Sequence, residues 1–196
     1  MTDKRALRRI AVFACAGVQL IIGLTATFTP TLHSNLLFVR LVVAFGLLAL
    51  ALVPPGVALF ARSGAAPFGG VRGLVAHTLL HALAGGVALL LHGLETPDVL
   101  THVLAAWAVL YAVLNLTQQT AVLVKIQDRA VSAGVLLLLA VAVELTRGDQ
   151  VMLLGFFGAW AIIAAVFSLI AAFDPPKKEV RAGAKPQVGG EGAQHG

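Results

Sequence analysis

The sequence contains little charge. Only 12% of its 196 residues are Asp, Glu, Lys or Arg, whereas 59% are hydrophobic. A soluble domain of this size has too small an interior to bury so much apolar surface, and soluble domains usually carry about 25% charged residues. We therefore exclude a soluble protein and expect the surplus apolar side chains to face lipid.

Cysteine is almost absent as well. Cys15 is the single cysteine, so the chain forms no internal disulfide and offers no cysteine framework for a metal or redox centre. We interpret it as a packing residue within the first apolar stretch. Ala14 to Ala16 imitate a signal-peptide cleavage site, but the apolar run before Cys15 is too short for a signal peptide. We expect an uncleaved first helix.

Sequence patterns typical of enzymes are also missing. No Ser-His-Asp set, Gly-rich phosphate loop or pair of catalytic carboxylates occurs in a usable context, so we expect no enzymatic activity, no catalytic residue and no cofactor.

The net charge of +5 would suit nucleic acid, but the basic residues flank apolar stretches without interleaved aromatics. We expect the lipid bilayer as partner, and a homo-oligomer or a membrane partner subunit stays open.

What the chain does contain is a series of long apolar stretches. A helix needs about 20 apolar residues to cross the ~30 Å hydrocarbon core of a bilayer. Proline and polar residues separate the stretches; Pro54-Pro55 is expected to end or kink the second helix, because proline lacks the amide hydrogen. The predicted fold is all-α, with six transmembrane helices at about residues 10–28, 36–53, 74–94, 99–116, 131–145 and 151–173.

The basic residues are distributed asymmetrically about these helices. Twelve of the fourteen Lys and Arg residues lie in the two termini and in the links after the second and fourth helices. Lys and Arg are enriched in cytoplasmic segments, so both termini are predicted to be cytoplasmic. Residues 1–9 form the basic N-terminal segment, and residues 174–196, which are polar and Gly-rich, are expected to be a disordered cytoplasmic tail.

An internal repeat relates the fourth helix to the sixth. Residues 106–116 and 159–169 align with a shift of 53 and are identical at six of eleven positions, including Trp107 and Trp160, the two tryptophans of the chain. This similarity predicts three repeated helical hairpins, at about residues 10–53, 74–116 and 131–173. Alanines at four-residue spacing in both copies favour close helix packing, so we interpret the tryptophan motif as a packing repeat.

These features resemble a known family. The three-hairpin plan, the short acidic turn after Gly85-Gly86-Val87-Ala88-Leu89-Leu90-Leu91, and the motifs Ala-Ala-Trp-Ala-Val-Leu and Gly-Ala-Trp-Ala-Ile-Ile are similar to the HdeD-like bacterial membrane proteins. The resemblance covers about residues 10–173. It implies a six-helix protein of the bacterial inner membrane, associated with acid-stress resistance and without an established catalytic site.

Histidines form a stripe along the third predicted helix. His77 and His81 are four residues apart and share one face, and His92 returns to nearly the same face about three turns later. Three interpretations stay open: hydrogen bonds between helices, a proton-responsive line, since histidine titrates near physiological pH, or axial ligation of a b-type haem. The last would make the protein a membrane anchor or electron-transfer subunit.

The predicted outer turn between the third and fourth helices concentrates titratable groups. It contains His92, Glu95, Asp98 and His102 within eleven residues, so the cluster is a candidate pH-responsive or ligand site. Its spacing matches no recognised zinc signature, and we predict no metal site. Asp98 is also suited to be the N-cap of the fourth helix.

Two further charges lie in or near the predicted helices. Arg40 interrupts an apolar run, and we expect it to extend outward to lipid headgroups or to pair with an acid such as Glu144, whose nearer neighbour in sequence is Arg147. Gln19, Asn115 and Ser168 are expected to hydrogen-bond between helices.

The leading hypothesis is a non-enzymatic membrane protein for envelope or acid-stress tolerance. A small-solute or proton transporter is a further alternative.

Overall fold

The computed structural model describes residues 4–60, 71–91, 97–117 and 126–173. Over these ranges the chain is all-helical, with a short 3-10 turn at Pro30–Leu32. The predicted tail, residues 174–196, lies outside the described residues. The six α-helices are α1 (Lys4–Phe28), α2 (Leu36–Phe60), α3 (Val71–Leu90), α4 (Pro97–Thr117), α5 (Ile126–Leu145) and α6 (Gln150–Phe173).

Four of the described helices are long and apolar enough to cross a membrane. They are Leu36–Gly56 in α2, Val71–Leu90 in α3, Asp98–Thr117 in α4 and Gln150–Ile170 in α6. The apolar part of α1, Val12–Phe28, is shorter, and α5 carries charged residues near both of its ends. Every described helix also exposes several large apolar side chains on the outside of the bundle. The chain is therefore a helical membrane protein.

The helix bounds differ from the predicted ones at several places. An end or a kink was expected at Pro54-Pro55. α2 continues through both prolines to Phe60, so the first alternative, an end at this pair, is wrong, although each proline removes one backbone donor. α3 ends at Leu90, four residues early, and α5 begins at Ile126, five residues early. The early start of α5 shows that a helix continues beyond its apolar stretch where the polar residues of the adjacent turn keep the backbone hydrogen bonds.

Each helix packs against its neighbours in sequence, and α1 packs against α6, so the six helices close into a ring. The most extensive contacts join α1 to α6, α2 to α3 and α4 to α5. These pairs connect the predicted hairpins to one another, whereas contacts within each predicted hairpin are less extensive. Interior positions are filled mainly by alanine, valine and leucine, with Trp107 and Phe157 as the largest buried side chains.

Glycine allows close approach where packing is most extensive. A Cβ atom on Gly158 of α6 would lie 2.5 Å from the Cβ of Ala26 in α1. A Cβ on Gly85 of α3 would lie 2.9 Å from the carbonyl oxygen of Ala44 and 2.9 Å from Cγ of Leu48, both in α2. Small residues at these crossings bring helix backbones together, which favours van der Waals packing where the hydrophobic effect between helices is weak.

One end of the bundle contains the 29–35 link, the start of α4 and the 146–149 turn; we call it the polar end. The starts of α2 and α6 at this end are capped. Asn35 Oδ1 accepts hydrogen bonds from the amides of Leu37 and Phe38, and Asp149 Oδ1 accepts from Val151 and Met152. The two caps are tied together, because Gln150 Nε2 donates to the carbonyl of Ser34.

We predict that Gly85→Ala destabilises the protein and that Gly86→Ala does not. The added methyl group at position 85 meets the α2 backbone, and overpacking of this kind costs about 1–3 kcal/mol. A methyl group at position 86 would meet no atom of the described chain within 4 Å, so this position is a matched control on the same helix. Unfolding in mixed micelles by titration with SDS, followed by circular dichroism, measures the difference; equal stabilities would contradict the packing at Gly85.

Candidate functional site

Two histidines of α3 occupy the interior at the middle of the bundle. The imidazole rings of His77 and His81 stack with their centroids 4.4 Å apart and 19° between their planes, as their four-residue spacing predicts. His81 is fully buried, whereas His77 is half-buried. The ring of His81 therefore belongs to the packed interior, and that of His77 lies beside it.

His77 links α3 to α4. Its Nε2 atom lies 3.0 Å from the hydroxyl oxygen of Tyr111, within hydrogen-bond distance, and the two rings meet edge to face with centroids 5.0 Å apart. This contact between helices agrees with the first of the three interpretations of the histidine stripe. Tyr111 was not among the predicted site residues, although it is the single tyrosine of the chain and lies one turn after Trp107.

His81 is held in one tautomer by its own helix. Its Nδ1 atom lies 2.8 Å from the carbonyl oxygen of His77, and because a carbonyl only accepts, Nδ1 carries the proton. In the neutral imidazole Nε2 is then an acceptor, and it has no hydrogen-bond partner among the described residues. A buried polar group left without a partner costs about 1–3 kcal/mol.

Trp107 of α4 presents the complementary group. It is 1% exposed, and its indole Nε1–H, a donor only, likewise has no partner in the described part of the chain. The ring meets that of His81 edge to face, with centroids 5.6 Å apart and 78° between the planes. An acceptor and a donor are thus buried on adjoining rings of α3 and α4.

The two tryptophans of the repeat touch each other. Trp107 and Trp160 meet edge to face at 4.9 Å between centroids, and Phe157 stacks on Trp160 at 5.6 Å. Edge-to-face pairs are favoured because the positive ring edge meets the negative face. Both tryptophans are buried in the interior. We call the whole group the ring cluster: His77, His81, Trp107, Tyr111, Phe157 and Trp160.

The ring cluster does not provide a bis-histidine haem site. Axial haem ligands approach the iron from opposite faces of the porphyrin, whereas the imidazoles of His77 and His81 lie face to face on one helix. Nε2 of His77 also faces the Tyr111 hydroxyl. These two rings therefore do not favour the haem interpretation.

A second group of titratable side chains lies at the polar end. Nδ1 of His102 in α4 is 2.8 Å from Oε1 of Glu144 in α5, and the two side chains are 52% and 38% exposed. The sequence predicted both residues near the outer surface but did not predict this pairing. The contact joins two helices and is open to solvent.

Other members of the predicted outer cluster are placed differently. His92 and Glu95 lie outside the described residues. α4 begins at Pro97, so Asp98 lies in the first turn of the helix and not at the N-cap position. In the first turn, a negative charge interacts favourably with the positive end of the helix dipole. Oδ1 of Asp98 faces Gly148. Within the described ranges, no group of three His, Cys, Asp or Glu side chains is arranged to hold a metal ion.

Arg40 lies inside the protein. Its side chain is 3% exposed, so the prediction that it extends outward to lipid headgroups is wrong. The carboxylate of Glu144, which was considered as a partner for Arg40, contacts His102. Gln19 and Ser168, which were each expected to hydrogen-bond between helices, bond to each other: Ser168 Oγ donates to Gln19 Oε1 over 3.4 Å, joining α6 to α1.

Comparison of the chain with protein-family models, with curated proteins and with solved structures finds no match in any of the three. The functional inferences below therefore depend on the residues and their geometry.

We predict a measurable coupling between His77 and Tyr111. In a double-mutant cycle with His77→Phe and Tyr111→Phe, the interaction free energy should be about 0.6 kcal/mol, the average for interhelical hydrogen bonds in membranes. Unfolding by SDS titration gives the four stabilities. Tyr111→Phe combined with His102→Gln is the control and should be additive, because these two residues share no described contact. A coupling of zero for the first pair would contradict the hydrogen bond.

Proposed function

We propose that this chain is a non-enzymatic protein of the bacterial inner membrane whose polar end responds to acidification and contributes to acid or envelope-stress tolerance. The observation that carries the proposal is the solvent-accessible contact between His102 and Glu144 across α4 and α5. The resemblance of the sequence to HdeD-like proteins supports the same function. The proposal includes six membrane spans in three hairpins, with α1 and α5 as the two spans beyond the four long apolar helices.

The direction of the pH response follows from the two side chains. Histidine is the side chain that ordinarily changes charge between roughly pH 5 and 8. A neutral imidazole donates one hydrogen bond to a carboxylate, whereas an imidazolium forms a charge-assisted ion pair with it. Adding a proton to the imidazole would therefore strengthen the contact between α4 and α5, and removing the charge of the carboxylate would weaken it.

Other charged groups lie at the same end. Asp98 lies in the first turn of α4, and Arg147 and Asp149 lie in the turn between α5 and α6. Together with Glu144 they place three acidic groups and one basic group at the polar end. A positive charge on His102 would therefore add attraction between the helix ends.

We predict that His102→Lys abolishes the acid response while preserving the contact. Lysine keeps a cation beside Glu144 and stays charged throughout the acid range. The charge at this contact therefore no longer changes over the pH range in which a histidine side chain takes up a proton. Survival of cells after acid challenge at matched expression should fall to the level of cells without the protein. Ser132→Ala, an exposed polar change on α5, is the control and should survive like the natural chain. Undiminished survival of the lysine variant would overturn the sensing function.

We also predict that both termini and residues 61–70 lie in the cytoplasm and that the polar end faces outward. Twelve of fourteen basic residues flank the cytoplasmic side in this arrangement. Single cysteines introduced at Ser63 and at Arg147, in the Cys15→Ala background, can be labelled in intact cells with an impermeant maleimide. Labelling at position 147 alone is expected; labelling at position 63 alone would invert the orientation and remove the outward sensor.

The haem-bearing and transport alternatives stay predictions. The stacked arrangement of His77 and His81 does not favour the first.

A further inference from the structure

The acceptor and the donor of the ring cluster are the strongest unexplained feature of the interior. Nε2 of His81 offers a lone pair and Nε1 of Trp107 offers a proton, both are buried, and neither has a partner among the described residues. Thr78 lies three residues before His81, on the same face of α3, and its buried hydroxyl also has no described partner. Buried polar groups of native proteins usually have partners, whether protein, water or ligand.

The chemistry of these groups selects the ligand. A carboxylate or phosphate would accept from Trp107 but would have no proton to donate to the lone pair of His81. A metal ion would suit the lone pair but not the indole N–H, which is a donor only. A hydroxyl group satisfies both, because it donates one hydrogen bond and accepts others.

The packing of α3 provides a route from the lipid. α3 packs extensively on α2, where Gly85 allows close approach, but its contact with α4 is less extensive and is made through large rings. Only 22% of the α3 span is buried inside the protein, against 39% and 44% for the spans of α4 and α2. Most of the α3 span therefore faces lipid, and α3 is packed less extensively on α4 than on α2.

We propose that the boundary between α3 and α4 binds a hydroxyl group between His81 and Trp107, which donates to Nε2 of His81 and accepts from Nε1–H of Trp107. The hydroxyl belongs either to a buried water molecule or to a membrane-soluble alcohol; both present the same group to the two rings. This site is independent of the acid response at the polar end, since it uses other residues in the middle of the bundle.

The test uses Trp107 as its own reporter. In the Trp160→Phe variant Trp107 is the single tryptophan, and the full chain in lipid nanodiscs is labelled with ¹⁵N on the indole. Proton magnetisation transfer to the Trp107 N–H is measured first from water alone and then after adding 1-octanol labelled at its first carbon. Transfer from water identifies water, and transfer from octanol identifies an alcohol site. Absence of transfer from both would overturn the proposal.

His81→Phe keeps an aromatic ring and removes the acceptor, so the hydroxyl loses half of its hydrogen bonding and transfer to the Trp107 N–H should fall to background. His102→Gln, outside the ring cluster, should leave the transfer unchanged. Should His81→Phe fail to fold, Trp107→Phe provides the reciprocal measurement: the ¹⁵N resonance of His81 Nε2 should move toward that of an imidazole acceptor without a partner. An unchanged resonance would contradict the shared ligand.

Discussion

The apolar surplus of this chain constrains the rest of its structure. Large apolar side chains remain exposed on every described helix, so the protein is stable only where lipid covers them. In that environment the backbone must satisfy its own hydrogen bonds, which helices do internally. Polar side chains inside the bundle then have to find partners on other helices, because water is scarce in the hydrocarbon region. The contacts of His77 and Ser168 follow from this requirement.

Side-chain size determines how the helices are spaced. Where glycine lies at a crossing, as at Gly85 and Gly158, backbones approach closely and packing is extensive. Between α3 and α4 the same surface is occupied by imidazole, indole and phenol rings, which meet edge to face. One face of α3 therefore packs tightly on α2, and the other carries the imidazoles of His77 and His81 toward α4. Both faces are present in a helix whose sequence is mostly apolar.

The two histidine groups differ in their access to protons. His81 is sealed inside the bundle, and its tautomer is determined by the carbonyl of His77. His102 is half exposed and contacts a carboxylate at the surface. The surface contact has the exposure and the charged neighbour that the proposed acid response requires. The interior rings are suited instead to neutral hydrogen bonding, so we assign the acid response to the polar end and hydroxyl binding to the middle of the bundle.

The sequence by itself determined the helical membrane class, most helix positions and the interior packing of Trp107 and Trp160. Apolar length and helical period are local properties, so they can be read along the chain. Tertiary structure alone decided that Glu144 contacts His102, that Arg40 is buried and that Tyr111 completes the ring cluster. A period specifies which residues share a face, but not which helix that face meets. For the same reason, the continuation of α2 beyond Pro54 and Pro55 was not predictable: neighbouring helices can stabilise a helix that its own prolines weaken.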